Sequence, residues 1–182
     1  MNLLRTNAVS IVILGAVTLP SLAAQAEDGR FAVESNLLAG VAKVDITPAE
    51  TDGVTVTGHR RVVHGVRDPL RAGVLVLSDG ETKAAVVTLD TIGAWDEMVK
   101  LARARIEKET GVPAPNILVA ASHNHSGPSF DAKSPWGREL IDKLGAASKL
   151  AASKLRTVSV GYGEDQIGFN INRRKVINGR AV

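Results

Sequence analysis

The sequence contains no cysteine. That excludes disulfides and thiolate metal sites, so any bound metal would have to be held by nitrogen and oxygen donors. Aromatic residues are scarce, at three Phe, two Trp and one Tyr. A chain this poor in rings has little to stack on bases and little to anchor in a membrane interface. Charge of one sign is also missing: 22 Lys and Arg are interleaved with 19 Asp and Glu. Despite a pI near 9.4, the chain has no basic stripe, and nucleic acid is excluded as a partner. Beyond residue 26 no apolar run is long enough to span a bilayer, which takes about 20 residues.

Residues 1–26 have the pattern of a signal peptide. Arg5 supplies a short positive region, Val9 to Leu19 is apolar apart from Ser10, Gly15 and Thr18, and Ala24-Gln25-Ala26 fits a small-x-small cleavage site before Glu27. Export to the periplasm or the medium is therefore expected. Arg5 is the only charged residue of this segment, so the remainder carries a formal +2 against +3 for the whole chain. About 156 residues remain, enough for one domain with a real core.

Hydrophobic patterning predicts an α/β fold with a mixed sheet, a βαβ unit and two main helices. Residues 27–36 read as a flexible entry, and 37–182 as a single, partial domain. Leu38 to Ile46 is a strand closed by Thr47-Pro48, and residues 49–69 are a long loop. Ala72 to Leu77 and Ala84 to Leu89 are apolar runs joined through Ser78-Asp79-Gly80, a hairpin signal. Trp95, Met98, Leu101, Ala102 and Ile106 recur at helical spacing and form the expected core stripe. Asp96 and Glu97 lie early, Lys108 late, and Gly111 and Pro113 stop the helix. Asn116 to Ala121 follows as a buried strand, parallel to the one ending at Leu89. Pro135 opens a second helix with Leu140, Ile141, Leu144, Ala147, Ala151 and Leu155 on its apolar face. Thr157 to Gly161 reads as one more strand, and from Gln166 onward no closing element is apparent.

This topology makes a spatial prediction. The carboxyl ends of the strands ending at Leu89 and Ala121 share one sheet edge, where open α/β sheets bind ligands. Just past those ends stand Asp90 and Ser122-His123-Asn124-His125. In extended backbone, residues i and i+2 project to one side, so His123 and His125 can face one small volume. Neutral imidazole is a good zinc ligand, and a catalytic zinc site takes three protein ligands and keeps a position open. By itself His-x-His is also compatible with two loop histidines of no special role.

The segment Asn116-Ile117-Leu118-Val119-Ala120-Ala121-Ser122-His123-Asn124-His125-Ser126-Gly127-Pro128 resembles the neutral/alkaline non-lysosomal ceramidase family, in which a strand leads into His-Thr-His-Ser-Gly-Pro. Three further stretches resemble that family in the same order: residues 39–48 (Ala39 to Pro48), 65–72 (Gly65 to Ala72) and Asn170-Ile171-Asn172-Arg173. The resemblance implies hydrolysis of the amide bond of N-acylsphingosine or a related N-acyl lipid, with one Zn2+. It makes His123 a metal ligand, His125 a catalytic residue that orients or polarises substrate or water, and Asn172 and Arg173 substrate-binding residues. Asn124 stands where the family usually has Thr, and Arg174-Lys175 where ceramidases proper usually have Ser-Pro, which bears on lipid specificity. Family members continue well beyond the point matched by Val182, and their other zinc ligands (a second His, a Glu and a Tyr) and a catalytic Ser lie there. The chain is therefore expected to be the N-terminal part of a larger catalytic domain that neither holds zinc tightly nor turns over substrate. Other readings are an exported zinc hydrolase of a different ester or amide, and an exported non-catalytic binding protein.

Several polar residues have plainer readings. Asp45 is expected to cap the turn at Thr47-Pro48, and Asp90 either solvates a strand end or serves the site. The cluster His59-Arg60-Arg61 with His64 and Arg67 reads first as a solvated loop and second as a contact for an anionic or polar head group. Arg67-Asp68 is either an ion pair or a substrate contact. Ser126 is structural, because spacing supplies it with no base.

Overall fold

The computed structural model describes residues 31–33, 36–49, 54–56, 62–168 and 175–181. The elements are β1 (Phe31–Val33), β2 (Leu38–Asp45), β3 (Arg71–Ser78), β4 (Lys83–Leu89), α1 (Asp96–Thr110), a 3-10 turn (Ala114–Asn116), β5 (Ile117–Ala121), α2 (Pro135–Ala152), β6 (Arg156–Thr157), β7 (Val160–Tyr162), β8 (Val176–Ile177) and β9 (Arg180–Ala181). The described residues fall into two compact units, one of residues 33–160 and one of those before 33 and after 160.

The larger unit carries a five-stranded mixed sheet of order β5-β4-β3-β2-β6. The expected hairpin is there: β3 and β4 pair antiparallel from Ala72 with Leu89 to Ser78 with Lys83. Its turn is held by the Asp79 carboxylate, which accepts from the backbone N–H of Glu81 and Thr82 at 3.0 and 2.7 Å. Those donors, Thr82 first, keep the Asp79 carboxyl below its ordinary range. β4 and β5 pair parallel from Ala85 with Ile117 to Leu89 with Ala121, with α1 as the crossover.

Both helices serve one face of this sheet. Strict alternation in β3 buries Ala72, Val74, Val76 and Ser78, and the first three meet Met98, Ala102 and Ile106 of α1 and Leu140, Leu144, Ala147 and Ala151 of α2 in one core. The stripe expected on α1 is corrected at two positions: Trp95 and Leu101 are exposed. Trp95 is the N-cap residue with extended backbone, φ −77° and ψ 158°, so helical periodicity does not reach it. At 3.6 residues per turn, Leu101 lies about 100° from the centre of the Met98-Ala102-Ile106 face. Helix α1 ends at Gly111, whose φ of 69° is the left-handed conformation of a C-cap. Helix α2 begins with Ser134, whose Oγ accepts from Gly137 N at 2.9 Å, and with Pro135 in the first turn.

Trp136 has a part that patterning did not reveal. Its ring is buried, and its Nε1–H donates to the carbonyl of Ile46 at 2.7 Å, tying the start of α2 to the chain leaving β2. Trp136→Phe would leave that carbonyl without this donor. We expect a loss of about 1–3 kcal/mol, read as a lower urea midpoint with an unchanged m-value.

The other sheet face is open. The registers align Val41, Leu75, Val86 and Leu118 in one row across four strands, and its ends, Val41 and Leu118, are 62% and 57% exposed.

Two further expectations are revised, and the tail gains a detail. Residues 27–36 were expected to be flexible, but Phe31–Val33 is a strand paired with β7. The single strand expected over 157–161 is two short ones, β6 at the edge of the main sheet and β7 elsewhere. The tail, in which no domain-closing element was apparent, holds a short hairpin of β8 and β9 turned by Asn178 and Gly179, with φ of 52° and 77°. Asn-Gly is the sequence signal for that turn. Residues 1–26, the expected signal segment, lie outside the described residues. Among the described residues no helix is long and apolar enough to cross a membrane.

Candidate active site

The parallel pairing brings the ends of β4 and β5 together. Ser122 N–H donates to the Leu89 carbonyl and Asn124 N–H to the Thr91 carbonyl, at 2.9 and 3.0 Å, so the two chains run side by side past the sheet edge. Asp90 cross-links three strands. Its Oδ2 accepts from Arg71 N at 2.9 Å, its Oδ1 from Ser122 Oγ at 3.2 Å, and its own N–H donates to the Arg71 carbonyl at 2.9 Å. The carboxylate is therefore engaged in holding the sheet edge that presents the histidines.

His123 and His125 converge as expected, but by a different backbone route. His123 has a φ of +62°, so the segment is a left-handed turn and not an extended strand. The turn is closed by the Asn124 side chain, whose Oδ1 accepts from Ser126 N at 2.8 Å, an Asx turn. Inside it the two Nε2 atoms lie 3.1 Å apart, and the rings meet edge to face at 85° with centroids 4.7 Å apart.

The tautomer of His123 follows from its other nitrogen. Nδ1 lies 2.8 Å from the Ile92 carbonyl, which can only accept, so Nδ1 carries the proton and Nε2 presents a lone pair. This is the arrangement in which a backbone carbonyl orients a metal-ligating imidazole. Two Zn–N bonds of about 2.0–2.1 Å at a tetrahedral angle put the nitrogens about 3.3 Å apart, close to the observed 3.1 Å. The pair thus fits two corners of a zinc site. Among the described residues no cluster of three or more His, Cys, Asp or Glu side chains could hold a metal ion, so the other corners are not supplied by them.

A cleft of about 620 Å³ adjoins the turn. Asp90, Ser122, Asn124 and Ser126 from the sheet edge and the turn line it, together with Arg67, Asp68 and Leu70 of the loop before β3. Arg67 and Asp68 form a loose pair at 3.8 Å with side chains 98% and 89% exposed, which contributes little to stability. Asp45 caps its turn as expected, accepting from Thr47 N at 2.8 Å, with Arg71 at 3.3 Å. The Thr47 hydroxyl and backbone N–H, and then Arg71, hold the Asp45 carboxyl below its ordinary value of 3.8. A depressed carboxyl stabilises the fold above its unfolded pKa and loses that contribution as pH falls through the folded value. Asp45→Asn should therefore flatten the loss of stability below about pH 4, measured as Tm against pH. An acid limb unchanged by the substitution would refute this role.

Among the remaining sequence candidates, His64 is exposed. His59, Arg60 and Arg61, and the expected substrate-binding residues Asn172 and Arg173, lie outside the described residues. The sequence reading missed Ile92, whose contribution is a carbonyl and leaves no side-chain signature. It also missed the turn-closing role of Asn124, for which Asn two residues before Ser126 was an available signal.

No family model matches the chain, and no curated protein matches it. Solved structures do share its fold. A neutral ceramidase from Pseudomonas aeruginosa superposes with a TM-score of 0.59 at 21% sequence identity, over 68% of this chain and 22% of that one. A ceramidase complexed with C2 gives 0.58 at 21% identity over the same shares. The chain thus has a ceramidase-like fold and spans about a fifth of the length of these neighbours.

Proposed function

We propose that this chain is part of a zinc-dependent amidohydrolase acting on N-acylsphingosine or a related N-acyl lipid. The observation that carries the reading is the pair of imidazole Nε2 atoms 3.1 Å apart at the β4–β5 edge, with His123 already oriented by the Ile92 carbonyl. The ceramidase-like fold supports it.

In this reading His123 Nε2 and His125 Nε2 face the metal, which would supply a polarised carbonyl and an activated water. His123 enters in the correct tautomer. With the His123 proton on Nδ1, the N–H between the two Nε2 atoms is that of His125, so His125 Nε2 would serve as a ligand or a base in the tautomer that carries its proton on Nδ1. Asp90 and Ser122 position the turn through their mutual hydrogen bond and bound the cleft that takes the polar part of the substrate. Export, as the N-terminal segment suggests, would put the enzyme outside the cytoplasm.

The test is sphingosine release from N-acylsphingosine by the protein isolated from its natural host. Release should be abolished by a chelator, restored by zinc, and lost in His123→Ala. Hydrolysis that persists in chelator would overturn the metal assignment, and zinc binding with no release would overturn the substrate class.

A further inference from the structure

His123 takes its orientation from the Ile92 carbonyl, and the segment carrying that carbonyl departs from the sheet ladder. In a regular strand successive carbonyls point to opposite sides. Here the Thr91 carbonyl accepts from Asn124 N at 3.0 Å, and the next carbonyl, of Ile92, meets His123 Nδ1 at 2.8 Å. Both face the histidine turn, so the chain must bend between them, and it does bend over residues 90–92. A peptide turned out of the ladder keeps its direction only if groups outside the ladder hold it.

Two side chains do so. Thr91 is 2% exposed, and its hydroxyl donates to the Gly93 carbonyl at 3.2 Å, spanning Ile92. A β-branched side chain is stiff at χ1, and burial removes water as a competing partner, so the hydroxyl has one direction. Beyond Ile92 the indole of Trp95 lies against Gly93: a Cβ there would come 2.8 Å from Trp95 Cζ2 and 2.9 Å from Cε2. Ala94, between the two, packs on the core. Ile92 thus sits between a tied Thr91 and a covered Gly93. Trp95 is 58% exposed and lies outside α1, so helix packing does not account for its ring, whereas this contact does.

We infer that Thr91 and Trp95 are positioning residues, whose hydroxyl and ring fix the bend that aims the Ile92 carbonyl at His123 Nδ1. The hydrogen bond made by one imidazole nitrogen sets the state of the other, so the bend keeps the Nε2 lone pair of His123 turned towards His125. The inference rests on the proposed function only for the metal that this lone pair would meet.

The test follows the two imidazole nitrogen shifts of neutral His123 by NMR in the chain labelled at histidine, with His123→Ala identifying its signals, and cobalt affinity in parallel. In the parent, Nδ1 should be the protonated nitrogen. Thr91→Val removes the hydroxyl at nearly constant shape. It should move the Nδ1 and Nε2 shifts towards each other, as the second tautomer is populated, and weaken cobalt binding about 10-fold. That is the low end of the range for a lost outer partner, because 3.2 Å is long for an O–H···O bond. Thr91→Ser keeps the hydroxyl and should restore both readings. Trp95→Ala, at an exposed position, should act like Thr91→Val to a smaller extent. Thr110→Val, which deletes a hydroxyl bonded to the Ile106 carbonyl at the far end of α1, should change neither.

Parental shifts in Thr91→Val would overturn the inference; should that variant not fold, parental shifts in Trp95→Ala would do so. Equal changes in Thr91→Val and Thr91→Ser would reduce the position to packing and overturn it as well. A response in Thr91→Val with none in Trp95→Ala supports Thr91 and strikes Trp95 from the role. The two readings fail separately. Shifts that respond as expected without metal-dependent amide hydrolysis refute the amidohydrolase and leave the positioning, whereas such hydrolysis with parental shifts in Thr91→Val refutes the positioning alone.

Discussion

Alanine at position 40 is expected to unfold most of the larger unit at temperatures where the parent chain is stable. Gly40 lies in β2 on the face that meets the carboxyl end of α2. A Cβ there would come 2.0 Å from the Ala151 carbonyl oxygen and 3.0 Å from its carbon. Both are backbone atoms, so no rotamer change relieves the contact: α2 must lift from the sheet, or β2 must shift against β3. Overpacking costs about 1–3 kcal/mol when side chains can adjust, and more when they cannot. Domains of this size hold only about 5–15 kcal/mol in total. We therefore expect Gly40→Ala to cost about 3 kcal/mol or more and to lower Tm by on the order of 10 °C, measured by circular dichroism melting. Gly65→Ala, with open space around its added Cβ, is the matched control and should melt with the parent. A Gly40→Ala protein as stable as its control would mean that α2 does not sit on β2 as described.

The second large effect concerns the imidazole pair. Cobalt titrated into the chain should bind weakly, through His123 and His125, and be removed by dialysis, because the described residues complete no larger donor cluster. His123→Ala should reduce that affinity at least ~100-fold. Loss of a group that merely orients a ligand already costs about 10–100-fold, and here the ligand itself is removed. His125→Ala should reduce it comparably if both nitrogens bind one ion. The readout is the visible absorption of bound cobalt. A spectrum and affinity unchanged in His123→Ala would show that the pair does not chelate. Asn124→Ala probes the turn separately: it removes the Oδ1 that accepts from Ser126 N and should weaken cobalt binding by loosening the pair while leaving both ligands present.

The contrast between what was and was not legible follows from where the information resides. The β3–β4 hairpin, both helices and the parallel β4–β5 pair could be read because each is written in local periodicity. Alternation along Ala72 to Ser78 marks a half-buried strand, and the spacing of Met98, Ala102 and Ile106 marks a helix face. The exposure of Trp95 was not legible, because the residue sits one position outside the helix, where the pattern stops meaning anything. The split of 156–162 into two strands in different sheets was equally hidden, since propensity says a segment is extended but not which partner takes it.

At the site, residue chemistry and order along the chain determined that two imidazoles and a carboxylate would stand at one sheet edge, since a right-handed β-α-β crossover allows little else. The sequence likewise determined that any metal there would have nitrogen and oxygen ligands, because it contains no cysteine. Only the tertiary structure decided how the imidazoles meet. The left-handed backbone at His123, the carbonyl of Ile92 against its Nδ1, and the separation of the Nε2 atoms depend on two segments about 30 residues apart in sequence. An apolar pocket beside Pro128 is of the same kind. Its walls come from two stretches distant in sequence, residues 48–55 and 128–139, and no local pattern can specify an empty space that exists only once they have packed.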